Sequence, residues 1–295
     1  MTRRGRPSFV LLALWLWVAP ACRAPDPGVS ERAGDAAPGI ALTDADGRAL
    51  RLPRPAERVV SLVPSATLTL QALGAGALLV ARTDHDTASW MAALPSVGGG
   101  LQPSLEAIVA ARPDLVIRFA GPQDTRTPAA LDGLGIPSLA IRPDRISDVL
   151  ESVRLLGAAT GRAAAADSLA RSLRSGLDSV RAAFAGRPTV QVAYVLGGEP
   201  PWVAGPGTYI QELLEIAGGS NAFEDLGSLY AAVSVEEFLA RRIEVILTPD
   251  AGRLDPRIAA GSRVVAVGGA LELPGPGVAA AARLVALLLH GGEAP

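Results

Sequence analysis

Arg58-Val-Val-Ser-Leu-Val-Pro-Ser-Ala-Thr67 is the stretch on which the reading of this chain turns. Val59 to Val63 is a continuous apolar run, the pattern of a strand covered on both faces of a parallel sheet. Pro64-Ser65 ends it, and Ser65 or Thr67 is placed to cap a helix that runs to Leu73. Ala72-Leu-Gly-Ala-Gly76 turns the chain. After Val97-Gly-Gly99, Pro103-Ser-Leu-Glu-Ala-Ile-Val109 gives a short helix with one glutamate, and Arg112-Pro-Asp-Leu-Val-Ile117 leads into another strand. The same order returns in the second half. Val190-Gln-Val-Ala-Tyr-Val195 is a strand and Gln211-Glu-Leu-Leu-Glu-Ile-Ala-Gly-Gly-Ser-Asn221 a helix and turn. Val233-Ser-Val-Glu-Glu-Phe-Leu239 is a short helix and Ile243-Glu-Val-Ile-Leu-Thr248 a strand. One pattern occurring twice implies two similar α/β lobes with a ligand clamped between them.

Between the repeats, Ile146 to Leu156 reads as a helix broken at Gly157 and Gly161. Ala163 to Phe184 reads as one long helix, with Leu169, Leu173, Leu177, Val180 and Phe184 at three- and four-residue steps. At about 1.5 Å per residue it would span about 33 Å, enough to bridge two lobes. Ile40 to Leu52 alternates around Asp46-Gly47, a hairpin signal. Further strands are expected at Leu78–Ala81, Leu115–Phe119, Ser138–Ile141, Val245–Leu247 and Val264–Val267. Further helices are expected at Ala129–Leu134, Tyr209–Ala217, Val235–Ala240 and Val278–Leu289. The expected fold is α/β: two lobes, each with a mainly parallel central sheet flanked by helices, joined by one long connecting α-helix. The expected divisions are a leader at 1–22, a tether at 23–39, an N-terminal lobe at 40–145, connecting helices at 146–186 and a C-terminal lobe at 187–295.

At 295 residues and 49% hydrophobic content, the chain can bury a substantial core. A net charge of −2 offers no basic face for nucleic acid. Every basic residue is arginine, which speaks of genome composition more than of function. Arg3, Arg4 and Arg6 precede an apolar run from Phe9 to Ala19, the layout of a signal peptide. The run is too short to span a membrane, which takes about 20 residues. Ala19-Pro20-Ala21-Cys22 looks like a bacterial lipoprotein cleavage box, with the chain's single cysteine as the acylated first residue of an exported, cell-surface or periplasmic protein. The alternative is an ordinary signal peptide cut near Ala21 or Ala24. Arg23 to Gly39 is too poor in large apolar residues to pack and reads as a tether.

Catalytic signatures are weak. In Gly74-Ala-Gly76 the glycines follow a helix and precede a strand, the reverse of a dinucleotide site, so a helix C-cap is the better reading. No Walker sequence or Gly-x-Ser-x-Gly elbow is present. His85 and His290 are the only histidines, too few for a histidine metal cage.

Taken in order and spacing, the repeated segments resemble the substrate-binding proteins of ABC importers, in the helical-backbone class that takes up vitamin B12, haem, ferric siderophores and related chelates. The likeness runs from about Ile40 to about Val267 and is greatest to the vitamin B12-binding branch, through Pro200-Pro-Trp-Val-Ala-Gly205 and the Val-Ser-x-Glu segment. It implies a monomer without intrinsic cofactor, carrying cobalamin, haem or a ferric siderophore to a permease dimer. It also implies a stiff connector and small lobe movements. Against it stands a lipid-anchored hydrolase or sensor domain on the same fold.

Site residues follow from the two readings together. Phe119 lies at a strand C-terminus, where open α/β sheets place ligand crevices. Trp202, in a loop after the first C-lobe strand, and Tyr230 stand at aromatic cleft positions of the B12 branch. Tyr209, opening a helix, is a weaker candidate. His85 stands where that branch has a ligand-contacting tyrosine and could also ligate a metal centre; the alternative is a loop histidine held by Asp84 and Asp86. Gly100 replaces an aromatic of the branch, and Gly268 to Pro274 departs from the aromatic and charged pattern of its ligand loop. Glu106 and Glu236 occupy matching places at the start of the two short helices. Helix-dipole stabilisation, about 0.3–1 kcal/mol, explains a carboxylate there; in the family such a pair engages permease arginines.

Overall fold

The computed structural model describes Thr2 and residues 39–291, so the expectations for Cys22 and most of the leader and tether lie outside the described residues. The described fold opens with a hairpin, β1 (Ile40–Thr43) and β2 (Ala49–Leu52), paired from Ile40 opposite Leu52 to Thr43 opposite Ala49. Asp44 closes its turn by accepting the amides of Asp46 at 3.0 Å and Arg48 at 2.8 Å. Gly47, at φ +75°, takes the left-handed position.

The first lobe follows as β3 (Val59–Ser61), α1 (Pro64–Ala72), β4 (Leu79–Ala81), α2 (Leu105–Ala111), β5 (Leu115–Phe119), α3 (Arg126–Gly133) and β6 (Ser138–Ile141). Its four strands are all parallel, in the order β4-β3-β5-β6. Adjacent residues of the apolar runs serve opposite faces. Val59, Leu115 and Ile117 enter one core; Val60 and Val116 enter another with Ile108 and Leu131. That is why these strands read as unbroken apolar runs. Helix α1 departs from expectation at its start: Pro64 occupies the first turn and no side chain caps it. The Thr67 and Thr69 hydroxyls instead donate back to the Val63 and Ser65 carbonyls.

The connector is α4 (Ile146–Ala159) followed by α5 (Ala163–Phe184). Helix α4 runs through Gly157 rather than breaking there. A Cβ at Gly157 would collide with Ala166 of α5, so the glycine permits close helix contact at its usual cost of about 1 kcal/mol. Gly161, at φ +68°, makes the turn between the helices. Helix α5 has the predicted bounds and buries Leu173, Leu177, Val180 and Phe184.

The second lobe contains β7 (Val190–Gly197), β8 (Trp202–Ala204), α6 (Tyr209–Ile216), β9 (Gly219–Asn221), β10 (Tyr230–Ala232), α7 (Val235–Leu239), β11 (Val245–Thr248), α8 (Pro256–Ala259), β12 (Arg263–Ala266) and α9 (Val278–His290). Its sheet runs β10-β8-β7-β11-β12, with β9 also pairing β7. The β9, β7, β11 and β12 pairings are parallel; β8 and β10 add antiparallel strands. Trp202 and Tyr230 therefore each open a short strand rather than sitting in loops. One apolar core runs from Leu50 and Val59 through Leu173 and Leu177 to Val192 and Val285, joining both lobes to the connector. Relative lobe movement has to work against that shared, close-packed core.

Candidate ligand cleft

A cavity of about 360 Å³ opens between the lobes, with Leu101, Phe119 and Arg142 on one wall and Tyr209, Tyr230 and Glu272 on the other. Its size falls within the range of small-molecule sites. A larger groove of about 560 Å³ lies between the connector and α6, but its lining contains no aromatic residue.

Phe119 ends β5, and the neighbouring Ala120 amide donates to the Ile141 carbonyl at 2.9 Å. Gly100 has a steric explanation here. A Cβ at that position would run into the Leu62 carbonyl oxygen and lie 3.5 Å from the Phe119 ring, so the aromatic of the resembled branch has no room. Asp46 supports the same wall by accepting the Gly121 amide at 2.9 Å and Arg118 Nη1 at 2.7 Å. Burial alone would raise the Asp46 carboxyl, but the bonds from Arg118 and Gly121 outweigh it and hold the group below its ordinary value.

The opposite wall depends on α6. Thr208 caps it by accepting the Gln211 amide at 3.1 Å, which sets Tyr209 at the first helical position. The Tyr209 amide donates to the Asp144 carbonyl at 2.5 Å, and the Ile146 amide donates to Glu212 Oε2 at 2.7 Å, tying the start of the connector to α6. The Tyr209 hydroxyl donates to the Leu271 carbonyl at 2.5 Å and anchors the turn that carries Glu272. Tyr230, half-buried, pairs opposite Ala204; burial, with the Asp144 charge, pushes its phenol up to about 12. Burial also raises the Tyr194 and Tyr209 phenols.

The structure thus brings Phe119 and Tyr230 to one cavity, and does not bring the other two aromatic or imidazole candidates into its lining. Trp202 is 49% exposed on β8, its ring beside Gly198. His85 is exposed. Its flanking aspartates do not hold it: Asp86 accepts the Thr83 amide and hydroxyl at 2.9 and 2.7 Å, and Asp84 accepts the Ser96 hydroxyl at 2.5 Å. Among the described residues, no group of three or more His, Cys, Asp or Glu side chains is arranged to hold a metal ion. Glu106 and Glu236 share one local geometry. Each is exposed at the second position of its helix, behind a serine cap: Ser104 accepts the Ala107 amide at 3.2 Å and Ser234 the Glu237 amide at 3.0 Å.

Arg142 and Glu272 were not anticipated as cleft residues. The segment Gly268 to Pro274, expected to depart from the ligand-loop pattern, contributes Glu272 and Pro274. The signal available was the lone carboxylate of that segment.

A profile of the periplasmic binding protein family matches residues 59–258. This chain belongs to that family and is a binding protein rather than an enzyme. It is 34% identical over 268 residues to the cobalamin-binding protein of Halobacterium salinarum, covering 85% of this chain and 71% of that protein. It is 27% identical over 202 residues to the vitamin B12-binding protein of Vibrio cholerae, covering 68% and 73%. The solved structure of the V. cholerae periplasmic protein has a similar fold, with TM-score 0.68, 24% identity and coverage of 80% of this chain and 97% of that one. The periplasmic haem-binding protein of a Roseiflexus species is similar at TM-score 0.67 and 25% identity, covering 80% and 98%. No helix among the described residues is long and apolar enough to cross a membrane.

Proposed function

We propose that this chain is the extracytoplasmic substrate-binding protein of an ABC importer and carries a corrinoid in the interlobe cleft. The observation that carries this reading is the cavity flanked by Phe119 and Tyr230, in a chain 34% identical to a cobalamin-binding protein. Flat, largely apolar chelates bind through apolar area and ring contacts, which these side chains supply. Residues 40–145 and 187–295 act as the lobes and 146–186 as the stiff connector. Trp202 and His85 serve as outer contacts for the parts of a ligand that exceed the cavity; His85 is also the one candidate for metal ligation. The chain acts as a monomer without intrinsic cofactor, and Glu106 and Glu236 engage the permease dimer. Haem or a ferric siderophore is the second reading, favoured by the fold likeness to a haem-binding protein.

Absorbance titration with cyanocobalamin and, separately, haemin tests the ligand. A corrinoid spectrum that survives desalting supports the first reading, a Soret shift with haemin alone supports haem, and binding of neither overturns both the corrinoid and the haem assignments. Phe119→Ala is expected to weaken binding by roughly 1–3 kcal/mol, the range for a lost aromatic anchor.

The membrane tether is assigned to acylated Cys22, on the strength of its position behind the apolar leader. Cys22→Ser is expected to move the protein from the membrane fraction to the soluble one. A wild-type mature N-terminus beyond Cys22 would sink this assignment.

A further inference from the structure

We propose that Glu272 makes the cleft selective for chelates whose edge is uncharged and donates hydrogen bonds, and selects against chelates fringed with carboxylates. The proposal rests on the reading of the cleft as a chelate site and adds the chemistry of the ligand's edge. Among the described residues lining the cavity, Arg142 is the only cation, and its Nε donates to Asp144 at 2.6 Å. That neighbouring carboxylate already answers its charge. Asp144 and Glu272 thus set two carboxylates against one guanidinium in the lining, and Glu272, exposed on the opposite wall, carries the excess negative charge.

The groups around Glu272 are neutral. Tyr209 spends its proton on the Leu271 carbonyl, one residue before Glu272. The Tyr194 hydroxyl is buried without a hydrogen-bond partner, in a side chain only 2% exposed, and the Glu272 charge reaches it. The wall therefore offers a carboxylate acceptor beside the half-buried Tyr230, and the single guanidinium of the lining is already engaged with Asp144 through Nε.

Two kinds of ligand edge meet this wall differently. An amide N–H finds an ionised acceptor, and such charge-assisted bonds are the stronger class. A carboxylate meets like charge across an open cleft, a penalty that solvent and salt reduce without removing. The Tyr209 bond to Leu271 fixes the backbone of the turn that carries Glu272, and the carboxylate stands exposed at the cleft wall.

Matched ligands that differ only at the edge test this. One pair is iron(III) mesoporphyrin and its diamide, in which both propionates have become carboxamides; the other is cyanocobalamin and its carboxylic acid derivatives, in which an amide has become a carboxylate. The full chain is expected to bind the uncharged member of a pair roughly tenfold more tightly, a gap that narrows with added salt. Glu272→Gln should remove most of that preference from both sides, tightening binding of the carboxylate member and weakening that of the amide member, whose charge-assisted bond is lost. Equal or tighter binding of the carboxylate member by the wild type overturns the proposal, as does a preference that Glu272→Gln leaves intact. Both of those results leave the cleft standing as a chelate site. If no member of either pair binds, the reading of the cleft as a corrinoid or porphyrin site falls and takes this inference with it.

Discussion

Replacing Arg118 by methionine is expected to destabilise the protein by about 3–5 kcal/mol, the cost of removing one partner from a buried ion pair. Its side chain is 3% exposed, and that of Asp44 is 1% exposed. Nη1 donates to Asp46 Oδ2 at 2.7 Å and to the Phe119 carbonyl at 3.1 Å, while Nη2 stands 3.8 Å from Asp44 Oδ2. Methionine fills much of the volume but leaves the Asp44 carboxylate buried with backbone amides and no cation. For a domain of this size the loss corresponds to a fall in Tm of roughly 10 °C. Asp46→Asn, at a partly exposed position, is expected to cost much less. The dependence on pH separates charge from packing. Asp46 has a folded-state pKa below its ordinary 3.8, so its contribution is present above that value and is lost as pH falls through the folded one. The gap between wild type and Arg118→Met should therefore narrow below about pH 4. Thermal unfolding across pH 3 to 7 is the measurement. A loss under about 1 kcal/mol at neutral pH would show that Arg118 is not holding the hairpin to the sheet.

Arg118 also marks a limit of reading the sequence. Leu115-Val-Ile-Arg-Phe119 registers as a strand because four of its five residues are apolar, and the arginine within it draws no attention. Its carboxylate partners lie about 70 residues earlier on the hairpin, and only the folded chain brings them together. What sequence does convey is burial repeated along the chain. Val59 to Val63 and Val245 to Leu247 read correctly because both faces of a parallel strand are covered, and Ala163 to Phe184 because its apolar residues recur at helical steps. Strands β8, β9 and β10 have three residues each, too few for any period, and exist through pairing within the C-lobe sheet.

The cleft divides along the same line. Phe119 was legible because it ends a well-patterned strand, and Tyr230 because its segment resembles a family position. Glu272 was not, since its place on the wall depends on a hydrogen bond from Tyr209, 62 residues away in sequence, to the Leu271 carbonyl. Gly157 misled for a related reason: glycine usually interrupts a helix, but here it admits a neighbouring helix that sequence does not display.

Loss of both Glu106 and Glu236 is expected to abolish uptake while leaving ligand affinity nearly unchanged. The hypothesis is that these carboxylates meet arginines of the permease, and it is motivated by their equivalence. Both are exposed at the second position of a serine-capped helix, one in each lobe, and neither lines the cavity. Helix-dipole stabilisation explains a carboxylate at either site alone. The same placement in both lobes is also what a two-fold permease surface would demand. Carboxylate–arginine contacts are charge-assisted and directional, so each truncation to alanine is expected to weaken association by about 2 kcal/mol, close to thirtyfold. The sites lie in separate lobes with no shared contact, and the losses should add in the double variant. Reversal to arginine should be worse than alanine, because like charges would then face each other. Ligand titration and permease pull-down on the same variants separate docking from binding. Lost ligand affinity with intact association would return both residues to the cleft and overturn the assignment.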